Sequence, residues 1–209
     1  MDLSSPLRSL IPTLDSAVLE VLAGTESSLS LAQVSKLAPH GSRAGLALAL
    51  ERLVEQGLVT ATAANRGSMY QLNRQHVLAE AVSSAATARS TILARLAEHV
   101  ARMNPVPAHV SVFGSFARHE AADDSDIDVL FVLPEEADDG WYEQVSDLSH
   151  SVYSWTGNRM EYVVLSLEGL AGVVQREEPI VDSWLSDSVT VYGQAIEVHV
   201  GQAVRLART

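Results

Sequence analysis

The chain contains no cysteine, which excludes disulfides, thiolate zinc sites and a cysteine nucleophile. Aromatic residues make up only 5% of it, so alanine and leucine must fill most of the interior. No apolar run approaches the roughly 18 residues that a bilayer span needs. The opening stretch MDLSSPLRSLIPTLDS lacks the basic-then-apolar plan of a signal peptide. These absences read as a soluble, cytoplasmic protein with no membrane partner. The seven histidines are scattered, with no HExxH and no close ligand pair, which disfavours zinc. Basic residues are outnumbered, 14 Lys and Arg against 26 Asp and Glu, for a net charge of −12. That balance argues against a simple nucleic-acid coat. What is present is 209 residues, 47% hydrophobic and 19% charged, enough to bury a core in one large domain or two small ones.

The acidity is confined to one part. Residues 1–104 carry nine basic and eight acidic residues, a net of +1, and the remainder carries five and eighteen, a net of −13. Parts so different in charge suit different partners.

In the first part, Leu14, Val18, Leu19 and Leu22 fall on one helical face, with Gly24 as a stop. A second short helix fits Leu31 to Leu37, with Ser30 as N-cap. Pro39 and Gly41 break the chain, and Ser42 caps a third helix carrying Leu46, Leu50, Leu53 and Val54. Leu58 to Ala61 and Met69 to Leu72 read as short strands around an Asn65-Arg66-Gly67 turn. The stretch GSRAGLALALERLVEQGLV resembles the third helix and following strand of winged-helix regulators. The resemblance implies a winged helix-turn-helix domain over residues 1–75 that binds double-stranded DNA. Its third helix would enter the major groove, with Arg43 at the start of that helix and Arg66 at the wing tip. A docking or dimerisation module fits the same pattern, because fold does not fix function.

From His76 to Met103 there is no Pro or Gly. Leu78, Val82, Ala85, Ile92, Leu96, Val100 and Met103 recur at helical steps, and Pro105 and Pro107 stop the run. Residues 76–104 therefore read as a long linker helix. Its narrow alanine-rich stripe suits either packing on both domains or a homodimer seam.

The chemistry concentrates in His109 to Leu133. Val110, Val112 and Phe113 suggest a buried strand that breaks at Gly114-Ser115, and Phe116 to Ala122 suit a short helix. Asp126-Ile127-Asp128 then opens into Val129 to Leu133, the strongest strand signal in the chain. On a strand, residues i and i+2 share a face, so two carboxylates stand side by side at the mouth of an apolar strand. Their repulsion and partial desolvation call for a divalent cation. Mg²⁺ is commonly held by one or two carboxylates plus substrate phosphates, and two such ions can clamp a phosphoryl displacement. The Gly-Ser turn adds backbone N–H groups that can approach an anion closely.

The segment GSFARHEAADDSDIDVL resembles the signature of the DNA polymerase β nucleotidyltransferase superfamily, minimal nucleotidyltransferase type. Gly114-Ser115, ten intervening residues and Asp126-Ile127-Asp128 carry the likeness. The resemblance implies an α+β fold for residues 105–209, a small mixed sheet flanked by helices. It implies transfer of a nucleoside monophosphate from an NTP to an acceptor, with pyrophosphate leaving. Asp126 and Asp128 would bind Mg²⁺, as one ion or two. Gly114 and Ser115 would hold the phosphates, and Arg118 would touch phosphate or pair with nearby acids. Members of the superfamily carry a third acid, usually Asp, on a later strand. Glu161, in GNRMEYVVLSL, stands at that position, where it would bind metal and deprotonate the acceptor. It is one methylene longer, and a misplacement of that size is costly in catalysis. A bland reading makes Glu161 a solvated strand residue.

Three functions fit these residues. One is an Mg²⁺-dependent nucleotidyltransferase with a DNA- or partner-binding winged helix. Another is a winged-helix transcriptional regulator whose transferase-like domain senses nucleotide or is inactive. The third is an antitoxin-like binding module.

Overall fold

A computed structural model describes residues 1–65 and 67–206. Arg66, expected at the wing tip, lies outside the described residues. The chain divides into two compact units, an N-terminal one made chiefly of Ser4–Arg89 and a C-terminal one made chiefly of Ser90–Thr209.

The N-terminal unit contains α1 (Leu14–Ala23), β1 (Leu29–Ser30), α2 (Leu31–Leu37), α3 (Arg43–Glu55), β2 (Val59–Ala64), β3 (Gly67–Leu72) and α4 (Ala79–Ala86). Two serines set its helix starts. Ser30 Oγ accepts the N–H of Gln33 while Gln33 Oε1 accepts the N–H of Ser30, a reciprocal cap for α2. Ser42 Oγ accepts the N–H of Gly45 at 3.1 Å and starts α3. The three strands form an antiparallel sheet in the order β1-β3-β2, with Ala64 paired to Gly67 across the tight turn. Val18, Leu22, Leu46, Leu50 and Leu72 are fully buried in its core.

The helix expected from His76 to Met103 is present as two segments, α4 and α5 (Ala88–Val100), interrupted at Thr87. There the Thr87 hydroxyl donates back to the carbonyls of Ser83 and Ser84, a local bond that competes with helix continuation. Most of the apolar stripe is buried inside the chain, whereas Leu78 is exposed. Val82 belongs to the N-terminal core, while Ile92, Leu96, Val100 and Met103 belong to the C-terminal core.

The C-terminal unit adds β4 (His109–Phe113), α6 (Gly114–Ala117), β5 (Ile127–Leu133), α7 (Asp139–Thr156), β6 (Met160–Ser166), α8 (Leu167–Gln175), α9 (Ile180–Asp187), β7 (Val189–Gly193) and α10 (Ile196–Leu206). Its sheet runs β6-β5-β4-β7, with β5 parallel to β6 and antiparallel to β4. This is the small mixed sheet flanked by helices that the sequence implied. The near-continuous apolar run of β5 is explained by burial on both faces. Val129 and Phe131 pack with Leu96, Trp141, Val145 and Leu148. Leu130 and Val132 pack with Leu170, Trp184 and Ile196.

One local reading changes. The helix after the Gly-Ser turn is one turn long, Gly114–Ala117, rather than reaching Ala122; His119 beyond it takes a left-handed φ of 59°, which ends helical geometry. Asp138 accepts the N–H of Trp141 at 2.8 Å and caps α7.

Leu130 ties the strand bearing the paired acids to the helical layer beneath it. Leu130→Ala is expected to destabilise the C-terminal unit by about 2–5 kcal/mol through lost burial and a residual cavity, measured by urea denaturation of the full chain.

Candidate functional site

Three strand ends converge at one edge of the sheet. Phe113, the last residue of β4, pairs with Asp128 near the start of β5, and Asp128 pairs on its other side with Glu161 of β6. Asp128 and Glu161 are thus directly opposed across a parallel pair, which local sequence could not reveal. Asp126 sits one residue before β5 and is half-buried, as is Asp128, whereas Glu161 is exposed.

The chain leaves β4 through Gly114, with φ of +70°. A Cβ at this position would run into Oδ2 of Asp128. Glycine is required twice over, for the left-handed backbone and for the close approach of main chain to carboxylate. Gly114 and the Asp128 carboxylate are therefore in van der Waals contact. Ser115 follows in the single turn of α6, where first-turn N–H groups lack acceptors within the helix.

Electrostatics mark Asp128. Its carboxyl is pushed above the ordinary aspartate range, first by burial, then by the neighbouring charges of Asp126 and Glu161; Arg118 opposes the shift. The arrangement holds negative charge where water cannot fully solvate it. Arg118 already has partners of its own, Glu120 at 2.8 Å and Asp187 at 3.3 Å.

The loop that delivers Asp126 is pinned by a residue the sequence reading overlooked. Asn158 is 3% exposed, and its Nδ2 donates to the carbonyls of Asp123 (3.2 Å) and Ser125 (2.9 Å). The N–H of Ile127 donates to the carbonyl of Arg159 at 2.9 Å. Only the fold makes these visible, because Asn158 lies 33 residues from Ser125 in the chain. Two cavities flank the acids. One, about 320 Å³, is lined by Asp123, Asp124, Asp126, Tyr153, Asn158 and Arg159 among others. The other, about 370 Å³, is lined by Ser149, His150, Tyr153, Arg159, Met160 and Glu161.

Among the described residues, no three His, Asp or Glu side chains form a ready-made metal cage. The donors nonetheless suit a hard cation. They are carboxylate oxygens, burial and then mutual repulsion raise Asp128, and Mg²⁺ ordinarily completes its shell with water and substrate phosphate.

A second surface lies on the N-terminal unit. Arg43, exposed at the start of α3, makes no ion pair among the described residues. It lines a cavity of about 510 Å³ with Ser30, Leu31, Ser68 and Tyr70. The same unit exposes Leu37 and Leu48 at 59% and 61%, and Arg52 is neutralised by Asp15 at 2.6 Å.

Residues 93–180, under half of the chain, match the family model described as a nucleotidyltransferase domain. Solved structures similar to the chain include a toxin–antitoxin with AMP-PNP, at 12% identity, covering 56% of this chain and 86% of that one, TM-score 0.40. A mutant of the MntA-HpeT toxin–antitoxin is 11% identical over 56% and 86%, TM-score 0.38. A protein from Sulfolobus solfataricus described as a nucleotidyltransferase is 26% identical over 51% and 85%, TM-score 0.29. No curated protein matches the chain. Among the described residues, no helix is long and apolar enough to cross a membrane.

Because the folded Asp128 holds its proton more tightly than the unfolded chain does, its contribution to stability is complete in acid. It is lost as pH rises through the raised folded value. Asp128→Asn should therefore raise the thermal midpoint at pH 7, and the gain should vanish in acid. The expected gain is about 1–3 °C by calorimetry. That is less than 1 kcal/mol would give in a chain this size, because Asp128 is only half-buried and water screens the repulsion.

Proposed function

We propose that the C-terminal unit is a nucleotidyltransferase that moves a nucleoside monophosphate from an NTP to an acceptor hydroxyl with the help of Mg²⁺. The observation that carries this reading is the contact of Gly114 with the Asp128 carboxylate, with Glu161 directly opposite. A phosphate-binding turn and a carboxylate set meet there at one sheet edge. Residues 93–180 match a nucleotidyltransferase domain, and the match spans all of these groups.

In this reading Asp126 and Asp128 hold the metal, with Glu161 beside them. A metal held there would draw charge from the phosphoryl oxygens and lower the barrier to displacement. Gly114 and Ser115 orient the β- and γ-phosphates through backbone N–H groups and the Ser115 hydroxyl. Ser115 forms no covalent bond to substrate. Glu161 takes the proton from the acceptor hydroxyl, as its exposed position allows. Arg118 stands close enough to lower the Asp128 carboxyl, and it reaches phosphate by exchanging Glu120 or Asp187 for the incoming oxygens.

The N-terminal unit fits a winged helix-turn-helix module in its order of helices and its hairpin. Arg43, without an ion pair among the described residues and beside a cavity, supports contact with a DNA phosphate. The exposed Leu37 and Leu48, and the loss of the Arg52 charge to Asp15, favour instead a protein partner. A second functional reading, a regulator whose C-terminal unit senses nucleotide without turnover, draws on two observations. Glu161 stands where an aspartate is usual, and Arg118 is already neutralised.

Calorimetric titration with ATP, GTP, CTP and UTP, in Mg²⁺ and in EDTA, tests the first reading. Wild type should bind at least one NTP only with Mg²⁺, and joint Asp126→Asn and Asp128→Asn replacement should weaken that binding by more than about 100-fold. Binding unaffected by these replacements would remove the proposed site. For the N-terminal unit, Arg43→Ala should lower DNA affinity by about tenfold in a low-salt gel shift; no change would assign the surface to a protein partner.

A further inference from the structure

The outer strands of the C-terminal sheet, β6 and β7, each pair on one side only among the described residues. They differ in what protects the free side. β7 is five residues long, and its pairing with β4 is interrupted by a register shift between Val110 and Ser111. Short length and bulges are devices that keep a sheet edge from adding another chain. β6 has neither. All seven of its residues, Met160 to Ser166, pair in unbroken register with β5, and it contains no lysine or proline. Tyr162 is 41% exposed, and Val163, Val164 and Leu165 are only partly buried. Their partners on β5, Val129 to Val132, are fully buried. The sheet is thus closed over β5 and open along β6. The N–H of Ile127 donates to the carbonyl of Arg159. Main-chain groups alternate in direction along a strand, so Glu161, Val163 and Leu165 also turn theirs toward β5. Met160, Tyr162 and Val164 present theirs outward. A cavity lies at each end of this edge, one of about 370 Å³ lined in part by Met160 and Glu161, the other of about 540 Å³ lined in part by Leu165 and Glu168.

We propose that β6 is the seam of a symmetric homodimer, in which β6 of a second copy adds antiparallel to it and joins the two sheets into one. A row of main-chain donors and acceptors is matched by another strand, and a two-fold axis at the edge requires the antiparallel sense. The charges select a second copy in that sense. With Val163 at the axis, Tyr162 and Val164 of one copy exchange main-chain bonds with Val164 and Tyr162 of the other. Glu161 then lies opposite the second copy's Leu165, whereas a parallel pairing would set Glu161 against Glu161. Arg159 and Glu168 flank the strand at its two ends, and neither makes an ion pair among the described residues. The antiparallel pairing brings each Arg159 toward the other copy's Glu168. The seam stands apart from the nucleotidyltransferase reading and holds whether or not the site turns over nucleotide.

Sedimentation equilibrium of the full chain tests this. The expected result is a reversible monomer–dimer equilibrium at micromolar chain concentration. Tyr162→Pro removes an outward N–H and leaves the β5 ladder intact, because proline is tolerated on an edge strand where its nitrogen faces away from the sheet. It should shift the equilibrium to monomer, with the fold checked by circular dichroism. Arg159→Glu and Glu168→Arg should each weaken the dimer by about tenfold, through two like-charge contacts per dimer, and the two together should restore it. A wild-type chain that stays monomeric would overturn the proposal. So would a dimer that a folded Tyr162→Pro variant leaves unchanged, or a double charge swap that fails to recover what the single replacements lose. Should Tyr162→Pro not fold, the charge swap decides alone.

Discussion

The carboxylate of Asp128, held half out of water against the backbone of Gly114, is the constraint around which the C-terminal unit is arranged. It begins a strand whose two faces are both buried, so β5 cannot shift to relieve the acid without exposing Val129, Leu130, Phe131 and Val132. Gly114 cannot carry a side chain without colliding with the carboxylate. The sheet order then sets Glu161 opposite, adding a further negative charge. Packing that stabilises the strand thus maintains an electrostatic cost at its mouth. A cation, as proposed above, would relieve that cost.

The surroundings hold this arrangement in place without neutralising it. Asn158 bonds to two carbonyls of the loop before Asp126, and Arg159, just before β6, offers its carbonyl to the first N–H of β5. Arg118 is the nearby cation, yet Glu120 and Asp187 share its charge. Its pull on Asp128 is smaller than the combined push of burial and the two neighbouring acids, since the carboxyl remains raised. The net charge of −13 beyond residue 104 is therefore not evenly spread decoration. Part of it is focused where a cation is most favourable.

Legibility differed between local and long-range features. The caps at Ser30 and Ser42, the buried faces of α1 and α3, and the strands around Gly114 and after Asp126 follow from spacing and residue type alone. Helix α7 sets its buried residues, Trp141, Val145, Leu148, Val152 and Thr156, at the four- and three-residue steps of an amphipathic helix. The break at Thr87 was hidden because threonine is neutral in composition and acts there only through its hydroxyl. Periodicity shows that a stripe is apolar but not what buries it.

The sequence by itself determined that Gly114-Ser115 and the Asp126, Asp128 pair belong to one strand–turn–strand unit. Such short-range geometry is dictated by backbone sterics and alternation. It also determined that the first hundred residues and the rest carry different charge. Only the tertiary structure decided that Glu161 faces Asp128, that Asn158 pins the intervening loop, that Arg118 is already paired, and that Tyr153 and Arg159 wall the neighbouring cavities. Those relations depend on strand order and register, which are fixed by burying both faces of β5 at once, and no local pattern of residues encodes them.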